Sequence, residues 1–267
     1  SSKERHRRCT GREQIVKYGS LFKQWTSTRP LLLALLLLLL ATPSLYVPAF
    51  SFLFPGQEEI LYARKSMLTL LGEHLILVVI SSIAATIIGI ALGLAVTRDR
   101  GKRFMPLVRD LSSLAQTIPP VAVLALSVPL LGYGSTPTVA ALFLYSILPV
   151  ISNTISGIQR VDVAVNEASA GMGMTPRQQL FMTELPLAAR VITAGVRTSV
   201  IVNIGTATIG ATIGAGGLGV VIIAGLVRNN TAFVLAGSAA AAALALLADW
   251  GFDLLDRRFY NHRELAR

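Results

Sequence analysis

Cysteine is almost absent. Cys9 stands alone, so no disulfide framework and no thiolate metal cluster can form within the chain. Histidine is scarce too: His6, His74 and His262 are far apart and lack ligand spacing, so each reads as a surface or interfacial residue rather than a metal ligand. No G-x-x-x-x-G-K-[ST] stretch occurs, which excludes a P-loop cradle for nucleotide phosphates. H-E-x-x-H and G-x-S-x-G are missing, and no pair of acids lies inside an apolar run. The chain therefore reads as non-catalytic, with no cofactor and no metal. Charged residues make up only 14% against 53% hydrophobic, a balance foreign to soluble globular domains.

Acids are missing where a proton- or ion-driven carrier would need them. All fourteen sit in tails, loops or near the ends of apolar segments, with Asp249 close to one such end and Arg197 near the start of another. Charge inside a membrane is costly unless it is used, so no proton relay is expected, and any uphill transport must draw its energy from elsewhere. The net charge of +10 does not indicate nucleic acid, because no basic patch is interleaved with base-stacking aromatics. Gly214-x-Gly216-x-x-Gly219 matches a dinucleotide-binding pattern by spacing. It lies in an apolar stretch rather than in a βαβ unit, so close packing with a break or re-entrant turn is expected there.

Long apolar runs fill the rest. LLLALLLLLL at 31–40 follows a basic tail over 1–30. A signal peptide is the competing reading, but no A-x-A site follows the run, so a retained first span near 31–50 is expected, bent or ended by Pro43 and Pro48. An exposed connector completes the segment 31–74. Further spans are expected near 75–96, 111–132, 137–158, 191–213 and 232–250, the last five lying in a domain over 75–255, before a basic tail over 256–267. Pro119-Pro120 breaks the third span and Pro149 the fourth; such breaks belong in a bundle interior, where neighbours satisfy the freed carbonyls. Gly89-x-x-x-Gly93 lets two backbones approach closely. With these spans, 21 of the 24 Lys and Arg fall on one side, leaving Arg64, Lys65 and Arg228 on the other. The positive-inside rule then puts both termini in the cytoplasm. The fold class is an all-α polytopic membrane bundle of about six helices.

One polar, turn-rich insert, 165–188, interrupts the apolar pattern on the cytoplasmic side. Thr175-Pro176-Arg177-Gln178 reads as a helix start, with Thr175 as N-cap, Pro176 at the first helical position and Gln178 closing a capping box. Gln179 stands where a staple partner for Met174 would be. Leu180, Phe181 and Leu185 form an apolar face, and Pro186 disfavours helix at Leu185. Glu167, Ala168 and Ala170 fall in a preceding short helix that ends at the glycines, with Glu167 near its N-terminal dipole. The expectation is helix, Gly turn, helix: either a loop packed on its own bundle or a knob for a cytoplasmic partner.

Glu167-Ala168-Ser169, Gly173 six residues after the Glu, and Leu185-Pro186 resemble the EAA loop of ABC-importer permeases, with Thr183 where that family usually carries an aliphatic residue. Gln116-Thr117-Ile118-Pro119-Pro120-Val121-Ala122-Val123-Leu124-Ala125 and the stretch from Gly195 to Thr208 resemble the glycine betaine/choline (osmoprotectant) branch. The resemblance, which spans about 75–227 and is less clear over 1–74, implies a type I importer permease of the bacterial cytoplasmic (inner) membrane. It implies an ATP-binding ABC subunit that does the hydrolysis, a second permease subunit, identical or homologous, and a periplasmic or external solute-binding protein. It also implies that Glu167, Ala168, Ser169, Gly173, Thr175, Leu185 and Pro186 couple the chain to the ATPase. A permease for an amino acid or other small solute is the alternative within that class; a passive channel or membrane scaffold is the alternative outside it. Ser199, Asn203, Thr206 and Gly210 share one helix face and, with Pro119 and Pro120, are candidates for a translocation path. The same small and polar stripe equally suits a tight helix interface.

Overall fold

The computed structural model describes residues 30–31, 33–37, 42–57 and 59–260. All regular elements among the described residues are helical. We label them α1 (Pro43–Leu53), α2 (Met67–Thr97), α3 (Met105–Thr117), α4 (Pro120–Leu131), α5 (Ser135–Gln159), α6 (Val163–Gly171), α7 (Pro176–Gln178), α8 (Leu185–Gly210), α9 (Gly219–Val227) and α10 (Thr231–Tyr260). Met67–Thr97, Ser135–Gln159, Pro176–Ile213 and Thr231–Arg258 are each long and apolar enough to cross a membrane; α3 and α4, bent by 97° at their break, form either a broken span or a re-entrant loop. The expected first span, 31–50, lies partly outside the described residues. Thr42 is extended ahead of Pro43, so regular helix is interrupted there and restarts as α1, whereas Pro48 sits within α1 and does not end it.

Several boundaries differ from the apolar pattern, each for a local reason. The second span starts at Met67 rather than 75, because Ser66 caps the helix by accepting a bond from the Thr69 backbone N–H at 3.1 Å. The connector is shorter as a result, and Glu73 and His74 lie inside α2. The third span is two helices. Ile118 is extended ahead of Pro119, which becomes the N-cap position of α4. That break is exposed on the chain rather than buried in the bundle, as Pro119 and Ile118 both face outward. Pro149, by contrast, does not break α5, which runs continuously around it. The last helix continues ten residues past 250, through Asp253 and Asp256.

α2, α5 and α8 pack on one another; α10 lies against α8 and α9. Burial on α2 takes in small and polar residues as well as Leu70, Leu77, Val78 and Val96, and leaves a row of large apolar residues facing outward. α2 buries His74, Ser81, Ser82, Ala85, Gly89 and Gly93 while exposing Ile76, Ile80, Ile83, Ile87 and Leu92. Lipid tails are as apolar as leucine, so helices in a membrane gain little by hiding leucine from them and associate through small residues and interhelical hydrogen bonds. The Gly89–Gly93 pair does what its spacing predicts: a Cβ at Gly89 would sit 2.8 Å from Val150 Cγ1, and one at Gly93 2.6 Å from Thr154 Cβ.

The Gly-rich stretch is a turn, not a nucleotide loop. Gly214, Gly216 and Gly217 have φ of +83°, +85° and +77°. They carry the chain from the short 3-10 turn Ala211–Ile213 into α9, which folds back along α10. Glu73 holds the turn, accepting from Gly217 N–H at 3.0 Å and from Lys65 Nζ at 2.6 Å. His74, expected at a surface or interface, is fully buried. Its Nε2 lies 3.0 Å from the Ile204 carbonyl, an acceptor only, so that nitrogen carries the proton.

Candidate functional site

The insert is built as three local motifs in series. Asp162 caps α6, its Oδ1 accepting from Ala164 N–H at 2.9 Å. At the other end Met174 N–H bonds to Ser169 O at 3.2 Å and Gly173 N–H to Ala170 O at 2.9 Å, the paired bonds of a Schellman cap. Gly173 occupies the left-handed position, φ +80°. Two residues later Thr175 begins the next helix with a complete capping box: Thr175 N–H donates to Gln178 Oε1 at 2.8 Å and Gln178 N–H to Thr175 Oγ1 at 3.4 Å. The helix, glycine turn, helix order is therefore as the residues suggested.

Two details are corrections. Glu167 is not at a helix N-terminus: α6 starts at Val163, Asp162 takes the dipole, and Glu167 lies exposed in mid-helix. Pro186 does not end the second helix either. It lacks an N–H and its ring would clash with the Met182 carbonyl in a regular α-helix. The chain answers with a π turn over Gln179–Glu184, in which Leu185 N–H reaches back to Leu180 O. α7 therefore runs on into α8, and Pro186 falls within the first helical positions of α8.

The π turn sorts the apolar residues. Leu180 and Leu185 pack inward beside Ile158, Ala188 and Ile192, with Ile90 and Leu94 of α2. Phe181, expected on the same face, is 65% exposed, as are Met182 and Met172 to a similar degree. Ser169 is buried, its Oγ donating to Asn166 O at 2.8 Å; Ala168 beside it is exposed. Thr183 Oγ1 lies 3.8 Å from Met174 Sδ, and Gln179 Nε2 donates to Met174 O at 3.4 Å. The outer surface thus combines Glu167 and Arg177 with Phe181, Met172 and Met182, a charged and apolar mixture suited to a protein partner.

Arginine contacts tie the insert and the helices around it together, and none has a local sequence signature. Arg98, just past the end of α2, binds Glu184, which is nearly buried. Arg109 of α3 binds the Gln159 side chain at the end of α5. Arg197 is deeper than expected, more than three turns into α8, where it holds α10 through Asp249 at 2.6 Å and Asp253 at 2.6 Å. Partners 50 to 90 residues apart in sequence carry no local pattern, whereas Asp162 as a cap was legible and overlooked.

The candidate path residues are closed off within the chain. Ser199, Asn203, Thr206 and Gly210 all face the interior of the bundle. Asn203 Nδ2 donates to Ser81 Oγ at 3.0 Å and Ser82 Oγ at 2.9 Å, joining α8 to α2. A Cβ at Gly210 would meet Thr138 Cγ2 at 2.5 Å. Pro119 and Pro120 do not join them; they form the bend between α3 and α4. Among the described residues no group of three His, Cys, Asp or Glu is gathered as a metal site.

Three comparisons bear on this arrangement. The sequence profile described as "Binding-protein-dependent transport system inner membrane component" matches residues 85–260. The chain is 39% identical over 186 residues to the choline transport system permease protein OpuBB of Bacillus subtilis, covering 70% of this chain and 85% of that protein. It is 37% identical over 208 residues to the glycine betaine/carnitine/choline transport system permease protein OpuCB of the same organism, covering 78% and 92%. It is 38% identical over 205 residues to the osmoprotectant import permease protein OsmY of Salmonella typhimurium, covering 76% and 87%. Among solved structures, an inward-facing form of the MetNI methionine ABC transporter superposes with a TM-score of 0.63 at 21% identity, covering 72% of this chain and 95% of that chain. A second amino acid ABC transporter, solved with histidines, gives 0.61 at 22%, covering 72% and 93%. At such identity these likenesses speak for the fold alone, which is that of type I ABC importer permeases.

Proposed function

The chain belongs to the family of binding-protein-dependent transport system inner membrane components, and from that premise we propose that it is the permease subunit of an ATP-driven osmoprotectant importer. It is a multi-pass inner-membrane protein, and its family works with an ATP-binding subunit and a substrate-binding protein. The solute is a quaternary amine or related compatible solute such as choline, glycine betaine or carnitine, the class named for relatives that are 37% to 39% identical to it over the aligned residues. ATP is hydrolysed on the separate subunit, and two permease chains, identical or homologous, stand side by side.

The observation that carries this reading is the insert. Its Schellman turn at Gly173, its capping box at Thr175 and its exposed Met172, Phe181 and Met182 make a preformed knob whose shape is independent of any partner. We assign it to the ATP-binding subunit, with Glu167, Ala168, Ser169, Gly173, Thr175, Leu185 and Pro186 shaping the contact. Both termini and the insert lie in the cytoplasm on this reading, supported by the distribution of 21 of 24 basic residues. The polar stripe on α8 serves as a helix interface, supported by the burial of Asn203 against Ser81 and Ser82.

The test is uptake in proteoliposomes holding this chain with its ATP-binding and solute-binding partners. Labelled choline, glycine betaine and carnitine are offered with and without ATP, with methionine and histidine alongside. ATP-dependent uptake of at least one of the first three is expected. Uptake of only an amino acid would move the chain to another solute class, and uptake that ignores ATP would make it a channel.

A further inference from the structure

Beside the apolar cluster that Leu180 and Leu185 share with Ile90 and Leu94, the insert meets the end of α2 at an ion pair whose setting is unusual. Glu184 is the last residue of the π turn, and only 11% of its side chain is exposed. Its partner Arg98 is the first residue beyond the 31-residue helix α2. The loop after Arg98 cannot swing away, because it is folded hard under the helix: a Cβ at Gly101 would sit 2.1 Å from Ala95 O. Arg98 Nε is itself buried without a hydrogen-bond partner, and Glu184 is the carboxylate paired with this guanidinium among the described residues. A nearly buried charge pair is poor evidence for stability, since desolvation offsets much of the attraction. Such pairs are better at fixing geometry than at adding free energy.

The geometry fixed here joins two ends of one rod. An α-helix of this length spans about 46 Å at 1.5 Å per residue. At its cytoplasmic end α2 holds the insert through Arg98 and Glu184. Toward its other end Glu73 holds the backbone of the Gly214–Gly217 turn. We infer that Arg98 and Glu184 are a positioning pair that passes displacement of the insert to α2, and through α2 to the glycine turn at the opposite end. The inference rests on the insert being the contact for the ATP-binding subunit. α8 alone is a weaker lever, because the π turn lies between the insert and α8, and such bulges are among the places where helices kink.

The test is a charge exchange in the reconstituted complex. Arg98→Gln and Glu184→Gln should each leave assembly with the ATP-binding subunit and basal ATPase intact. Stimulation by the loaded solute-binding protein, and solute uptake, should fall on the order of fivefold, the low end of an ordinary coupling free energy. Arg98→Glu combined with Glu184→Arg should recover most of that loss, which traces the loss to the pair, while unchanged assembly and basal ATPase in the single variants exclude a merely structural role. Arg98→Lys, which keeps the charge, serves where the glutamine variants do not assemble, and should retain more stimulation than Arg98→Met. Normal stimulation in both glutamine variants, or an assembled double variant no better than either single one, would overturn the proposal. Gly173→Val in the same assay separates the two readings. If it uncouples while the Arg98 and Glu184 variants do not, only the positioning pair fails; if it too is normal, the insert is not the contact.

Discussion

The two glycines of the insert make opposite predictions although they stand two residues apart. Gly173 has φ +80°, and a Cβ built on it meets nothing within 4 Å. Space is therefore not what requires glycine there. The requirement is conformational: the Schellman turn needs a left-handed residue, and an L side chain in that region costs about 1–2 kcal/mol, with asparagine the usual exception. Gly171 also has open space around it, but it is the last residue of α6 with no positive φ. Alanine at Gly171 should be neutral or better, since glycine within a helix costs about 0.5–1 kcal/mol relative to alanine.

A graded series follows. Gly173→Asn should behave as the parent. Gly173→Ala loses about 1 kcal/mol of preference for the native turn, roughly fivefold in its population. Gly173→Val should lose more, because β-branched residues are true outliers at positive φ. A partner that needs the native turn sees an apparent affinity lowered by the fraction that is competent. Binding-protein-stimulated ATPase of the reconstituted complex should therefore rank Gly171→Ala and Gly173→Asn with the parent, then Gly173→Ala, then Gly173→Val. Equal loss in the asparagine and valine variants would refute the conformational reasoning. Full stimulation and uptake in the valine variant would refute the role of the insert.

Other outcomes follow from the same structure. Asn203→Leu should lower the thermal stability of the purified chain by about 1 kcal/mol, the order measured for hydrogen bonds between membrane helices; normal melting with lost transport would return Asn203 to the translocation path. Gly195→Leu should destabilise by about 1–3 kcal/mol through overpacking, because a Cβ there already meets Asn153 Cβ at 2.6 Å and Pro149 O at 2.9 Å; an unchanged melting temperature would disprove the tight α5–α8 contact. Single cysteines at Gly56 and Ser135, in a Cys9-free background, should react with an impermeant thiol reagent outside intact cells, and one at Arg100 should not. All three positions allow reaction sterically, since Ser135 and Arg100 are exposed and Gly56 has open space. Outside labelling at Arg100 would reverse the orientation.

Membrane character, four of the long spans after residue 75 and the capped insert are legible, because each rests on local sequence. Apolar length reports a span, and Thr175-Pro176-Arg177-Gln178 reports a helix start, without reference to anything distant. Proline was where local reasoning misjudged. Pro119-Pro120, Pro149 and Pro186 all read as breaks by local rules. Pro119-Pro120 is one, and the helices there diverge by 97°. Pro149 sits inside a continuous helix, and Pro186 is absorbed by a π turn. The difference lies in whether the preceding residue keeps helical geometry: Ile118 is extended, with ψ 126°, whereas Leu185 is helical, with ψ −45°. Tertiary packing decides that, and a single proline codon does not record it.

The α8 stripe marks the deeper limit. Ser199, Asn203, Thr206 and Gly210 recur on one face whether that face lines an aqueous path or a neighbouring helix, because both demand small and hydrogen-bonding side chains. Periodicity reports that a face is distinct; it cannot report what the face meets. The missing information was on α2, over a hundred residues earlier, where Ser81 and Ser82 supply the two oxygens that Asn203 meets. Those serines are themselves unremarkable in an apolar run, and Ser81 also donates to the carbonyls of its own helix. Only when α2 and α8 are seen side by side do two ordinary serines and one ordinary asparagine become a single buried junction. A polar residue in a membrane helix should therefore be weighed first against the polar residues of the other helices. The solute becomes its partner only when none of them can meet it.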